Sequence, residues 1–226
     1  MLKRQLTHVL SALLLCAGFV APARATFIPI ASPNAPYLAT THLMPVAGTE
    51  FDPLISVTDG TNTATFFVAP NPFPSALTIY DVGSVWATWS SPPNSETATP
   101  RVLGATPQLE IQLTSSALVF GFETEPNGFA TSFITADFFG GGILRGSVTQ
   151  SVTGDGGARL FAGFSSLGID HIFITATDEF GIAQLRYGND MAAVPEPGTG
   201  LLLLAGMGGL LLVRRMHSTE VTRVYA

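Results

Sequence analysis

The stretch QLEIQLTSSALVFGFETEPN, Gln108 to Asn127, decides the fold. Leu109, Ile111 and Leu113 alternate with Gln108, Glu110 and Gln112. Successive side chains of a strand point to opposite faces, so this reads as a strand with one face buried and one wet. Leu118, Phe120 and Phe122 then alternate with Val119, Gly121 and Glu123, a second strand. Pro126-Asn127-Gly128 breaks the run, as turn residues do.

Working outward, the same grammar repeats. Downstream come Thr131 to Phe139, Ile143 to Val152, Ala158 to Phe164, Ile169 to Thr177 and Phe180 to Tyr187. Gly140-Gly-Gly, Gly154-Asp-Gly-Gly, Ser165-Ser166 and Asp178-Glu179 punctuate them. Upstream, Leu54 to Thr58 and Thr63 to Val68 flank Asp59-Gly60, which predicts a hairpin. Leu77 to Val82 and Ser84 to Trp89 are two further strand candidates, with Gly83 as a bulge between them. The proline-bearing run from Ser91 to Pro107 predicts a long loop. The first thirty residues of the body, with Pro29, Pro33, Pro36 and Pro45, predict irregular structure or an edge strand. No stretch keeps apolar residues at helical spacing. About ten strands, spaced by roughly 8–12 residues, predict an all-β fold: an antiparallel β-sandwich or jelly roll in one domain, residues 26–193.

The two ends carry different signals. Lys3 and Arg4 precede an apolar run from Leu6 to Val20, and Ala23-Arg24-Ala25 fits a small-x-small cleavage site. Residues 1–25 therefore read as a secretory signal peptide, recognised through Ala23 and Ala25, rather than a first membrane helix, since Pro22 and Arg24 close a short run. Cys16, the only cysteine, lies inside that run. Leu15 stands before it where lipid attachment needs a small residue, and the mature body has no thiol for a disulfide. At the other end, fourteen uncharged residues, Gly200 to Val213, precede Arg214-Arg215. At ~1.5 Å per helical residue they cover about two-thirds of a ~30 Å hydrocarbon core. Gly206, Gly208 and Gly209 weaken such a helix, and the arginines fix its cytoplasmic end.

Val194-Pro195-Glu196-Pro197, the short spacer, the apolar run and Arg214-Arg215 together resemble the PEP-CTERM sorting signal of exported Gram-negative bacterial proteins. The resemblance implies that residues 194–215 insert transiently in the inner membrane with the body outside. An exosortase-type membrane peptidase would then read Pro195-Glu196-Pro197 and release the protein to the cell surface or the extracellular matrix. Residues 216–226 would be a cytoplasmic basic and polar tail, longer than the family usually carries. A plain single-pass anchor is the other reading of the same segment. More loosely, Trp89-Ser-Ser-Pro-Pro, Val119 to Asn127, Thr131 to Phe139 and Phe180 to Gly188 resemble a β-rich ectodomain common in that family. These are strand and turn patterns and carry no catalytic motif.

Composition narrows the functions. Four basic side chains against fourteen acidic ones leave residues 26–193 with a formal charge of −10. Such a surface repels phosphate and anionic lipid, which excludes nucleic acid as a partner. The expected function is a non-enzymatic surface or matrix protein, structural or adhesive, associated with exopolysaccharide and needing no cofactor. A small carbohydrate-binding module with calcium and a secreted hydrolase are the alternatives.

Each alternative has candidate residues. Trp86 and Trp89 suggest a sugar platform, because aromatic faces stack on sugar rings. Their spacing of three puts them on opposite faces of a strand, one in the core and one exposed. Calcium needs several oxygen ligands. Asp155, Asp178, Glu179 and Asp190 are loop acids of that type, outside any EF-hand spacing, and unliganded turn acids are the other reading. Glu123 and Glu125 share one strand face at a separation that does not exclude paired-carboxylate hydrolysis. A solvated acidic face is the alternative. His42 and His171 are the body's two histidines, and no Gly-x-Ser-x-Gly elbow accompanies them.

Overall fold

The computed structural model describes residues 27–69 and 71–190. The predicted signal peptide, sorting signal and tail, with Ala23, Ala25, Val194, Pro195, Glu196, Pro197, Arg214 and Arg215, lie outside the described residues. Among those described, no helix is long and apolar enough to cross a membrane.

Among the described residues, twelve strands form one antiparallel hydrogen-bonded sheet. They are β1 (Phe27–Ile30), β2 (His42–Leu43), β3 (Pro53–Leu54), β4 (Ser56–Thr58), β5 (Thr63–Val68) and β6 (Leu77–Asp81), then β7 (Arg101–Ala105), β8 (Gln108–Pro126), β9 (Thr131–Gly140), β10 (Ile143–Thr153), β11 (Arg159–Ala176) and β12 (Phe180–Gly188). The all-β, antiparallel expectation holds. One short helix, α1 (Ala35–Thr40), departs from it. Asn34 caps α1 by accepting the Tyr37 amide at 3.0 Å, and Pro36 pre-sets its first turn.

The main axis is β8. Its two apolar runs are one strand of nineteen residues, not two. The first part, Gln108 to Leu113, lies between β5 and the end of β11. The second part, from Val119 onward, lies between β12 and the start of β11. Between them the buried face changes phase, from Leu109, Ile111 and Leu113 to Phe120 and Phe122, across exposed Thr114, Ser115 and Ser116. A single core cluster collects Phe66, Ile111, Phe122, Phe138, Phe161 and Phe180 from five strands.

Three local expectations are corrected. Ser165-Ser166 is no turn but lies within β11, whose register slips between Phe164 and Ile169. Gly168 there has φ +80°, and a Cβ would sit 2.2 Å from Ser116 Oγ, so the irregularity needs glycine. Residues 84–89 form no strand; Trp86 makes only an isolated bridge to Val82. The proline-bearing loop is interrupted by β7, which pairs with β6 and β12. We call residues 82–100, between β6 and β7, the strap.

Candidate functional site

Two regions gather the polar and aromatic side chains that could carry function. The first lies under the strap. In the second part of β8, Phe120 and Phe122 face the main core, so Val119, Gly121, Glu123 and Glu125 face the other way. Simple alternation makes that a wet face. Instead both carboxylates are wholly buried. Tyr37 of α1 closes over Gly121, where a Cβ would stand 2.6 Å from the hydroxyl. The strap closes over the two glutamates.

Each glutamate grips the strap. Glu123 accepts the Trp89 indole N–H at 3.0 Å and the Glu96 amide at 2.6 Å. Glu125 Oε1 accepts the Thr88 hydroxyl at 2.9 Å and the Gly156 amide at 3.0 Å, while its Oε2 is buried with no partner. Arg186 of β12 holds the Glu96 carboxylate in a bidentate pair and also donates to the Thr41 carbonyl. Burial pushes the Glu123 carboxyl up to about 7. The Trp89 and Glu96 N–H donors oppose that shift, the Glu96 charge adds to it, and Arg186 opposes it. Burial also raises Glu125, against its hydrogen bonds from Thr88 and Gly156. The Tyr37 hydroxyl is buried without a partner, and burial with the nearby Glu96 charge holds its ionisation far above the usual range.

The tryptophans differ from the sugar-platform expectation. Trp86 is 7% exposed and Trp89 is 6% exposed. They lie on one side rather than on opposite faces, edge to face at 6.4 Å, in a small second core with Val102, Ala158 and Ala183. Because the strap is not extended strand, the two-residue period does not apply to it. No ring is offered to a ligand while the strap is seated.

The loop acids are not brought together. Asp155 sits in the β10–β11 turn, Asp178 and Glu179 in the β11–β12 turn, and Asp190 beyond β12. Glu179 binds Asn127 through its carbonyl at 2.7 Å, and Asp178 accepts from Thr177. Among the described residues no three His, Cys, Asp or Glu side chains form a metal-binding group. His42 packs on Tyr187, and His171 lies 3.3 Å from Glu110 without hydrogen-bond geometry.

The second region is the open outer face of the sheet, built by β10, β9, β11, β8 and β5. Register places Ser147, Asp137, Phe173, Glu110 and Phe67 in one row across these five strands. Beside it runs Leu144, Phe139, His171, Gln112 and Thr65. At ~4.8 Å per strand spacing, each row extends about 19 Å. Phe139 stacks on His171 at 5.2 Å, Ser147 donates to Asp137 at 2.5 Å, and Gln112 donates to Glu110 at 2.5 Å. Phe133, 65% exposed, stands on the same face of β9. Flat aromatic rings thus alternate with fixed carboxylate, amide and hydroxyl groups. Alternation in TSFITADFF showed the available signal: phenylalanine at wet positions 133 and 139.

Compared with known proteins, the chain matches no family model and no curated protein.

Proposed function

We propose that this is an exported, non-enzymatic protein of the cell surface or extracellular matrix that associates with neutral polysaccharide through the open face of its sheet. The row Ser147–Asp137–Phe173–Glu110–Phe67 carries this reading. Rings stack on the apolar faces of sugars, and the carboxylates between them accept hydroxyl hydrogen bonds. Acidic groups on the face, on a body of charge −10, favour an uncharged glycan over a polyanionic one. The body is read as a sandwich of the jelly-roll kind, since both parts of β8 and β11 contribute to one core. Signal peptide 1–25 would take it out of the cytoplasm, and the PEP-CTERM-like segment 194–215 would present it to an exosortase-type membrane peptidase. The hydrolase reading is disfavoured because the seated strap seals Glu123 and Glu125 from substrate.

Electrophoresis of the full chain through gels cast with a neutral glucan or with a polyuronate tests the binding. Retardation by the glucan alone, lost in Phe173→Ala and kept in Phe73→Ala, is expected. Equal mobility in all gels, or retardation by the polyuronate, overturns it. For the sorting step, the intact mass of protein released from an exosortase-bearing host should lack residues 201–213; a released species that retains them counts against it.

A further inference from the structure

We propose that the strap is a proton-sensitive cover: a proton held in the carboxylate cluster beneath it keeps it seated, and loss of that proton lifts it and uncovers Trp86 and Trp89.

The fastening is the first observation. Among the described residues, the strap's backbone–backbone hydrogen bonds are internal or reach only Asp81 at the end of β6. Its links to the sheet beneath run through side chains, and most of them end on Glu123, Glu125 or the Glu96–Arg186 pair. A segment held this way opens as a unit when the cluster it is tied to becomes costly to keep buried.

Charge count is the second. Three carboxylates, Glu96, Glu123 and Glu125, meet under or along the strap. Among the described residues one guanidinium, Arg186, faces them, and Glu96 already occupies it in both hydrogen bonds of the pair. On β11, Arg159 turns to the Ala158 carbonyl instead. Tyr37 of α1 is neutral, and Asp155, beside Gly156, is another acid. With Glu123 protonated, the Glu96–Arg186–Glu123 group has no net charge. Ionised, it has an uncompensated buried negative charge next to Glu96, a costly arrangement.

The direction follows from linkage. In the seated state Glu123 binds its proton up to about pH 7, whereas a solvated glutamate releases it near 4.5. Closure is therefore strongest below the solvated value and is lost as pH rises through 7. Between pH 5 and pH 8 the open-to-seated ratio should rise roughly fifty- to a hundredfold.

Hydrogen exchange on the full chain, with rates corrected for intrinsic pH dependence, reads this ratio. The expected result is that strap amides lose about that factor of protection from pH 5 to pH 8, while β8 and β12 do not. Acrylamide quenching should rise in parallel, since the chain's two tryptophans are both in the strap. Glu96→Gln, which frees Arg186 for Glu123, should flatten the profile. Strap protection that does not vary with pH, or an equal loss in strap, β8 and β12, overturns the proposal; the second result would mean that Glu123 titrates only on global unfolding.

Discussion

The two parts of β8 share one backbone and differ in everything placed on it. From Gln108 to Leu113 the strand buries one face and wets the other, and Glu110 stands at the edge of solvent. From Val119 to Pro126 it is buried on both faces, and its two glutamates are sealed. The difference lies in what lands on the strand. The first part carries only the outer face. The second is covered by Tyr37, Trp89, Thr88 and Glu96, all from segments at least twenty-five residues away in sequence. An acidic residue at an outward position therefore reaches solvent in one part and is a clasp in the other.

The largest expected contrast is in the core face of the second part. Phe122 is fully buried and stacks on Phe161 at 6.0 Å. With cover on both sides of the strand, little can collapse into the space its ring leaves. Phe122→Ala should cost about 3–5 kcal/mol in chemical denaturation. A loss below about 1 kcal/mol would show that the second part is loosely packed and the contrast false.

A smaller effect belongs to the clasp. Trp89→Phe keeps most of the ring and removes the indole donor, leaving Glu123 Oε2 buried without its 3.0 Å partner. An orphaned buried acceptor costs about 1–3 kcal/mol. The donor favours the ionised carboxylate, so its removal raises the Glu123 value further. The folded-state value is already above the unfolded one. Stability is then present at low pH and lost as pH rises through about 7, and the variant's deficit should be larger at pH 8 than at pH 5.5. Equal deficits at both pH values would separate the indole from the carboxylate's titration.

How much of this was legible follows the same division. Local alternation located the residues of every long strand but split β8 and β11 in two each. Leu109, Ile111, Ile134, Ile172 and Ile174 obey the two-residue period that a sheet imposes, and a change of phase or a register slip inside one strand looks like an end. The hairpin at Asp59-Gly60 was legible from turn chemistry, and Asp59 accepts the Thr61 and Asn62 amides at 2.9 Å. Ser165-Ser166 misled because a polar pair at a register slip inside a long strand looks the same as a turn. Glu123 and Glu125 misled for a different reason. Burial of an outward face depends on a cover from distant sequence, and no local period encodes it. The strap hid its own role as well, since Trp89 is held by Glu123, 34 residues away, and Thr88 by Glu125. The open face was readable in part from Phe133 and Phe139, but its rows required the register of five strands.

The smallest effect is expected where the first part of β8 faces water. Gln112 is exposed, and its one side-chain hydrogen bond reaches Glu110 on the same strand. Gln112→Thr trades that bond for a β-branched residue that suits a half-exposed strand. The stability change should stay within about 0.5 kcal/mol. Its neighbours across the sheet are His171 and Thr65, so any larger effect must come from the row itself. Retardation by neutral glucan is the sharper readout here. The substitution shortens the polar group beside Glu110 and releases the carboxylate for another donor. If the row binds hydroxyls as a unit, glucan retardation should change while stability does not. A stability loss comparable to that of Trp89→Phe would instead mean that this part of β8 is covered too, and the open face would no longer be open.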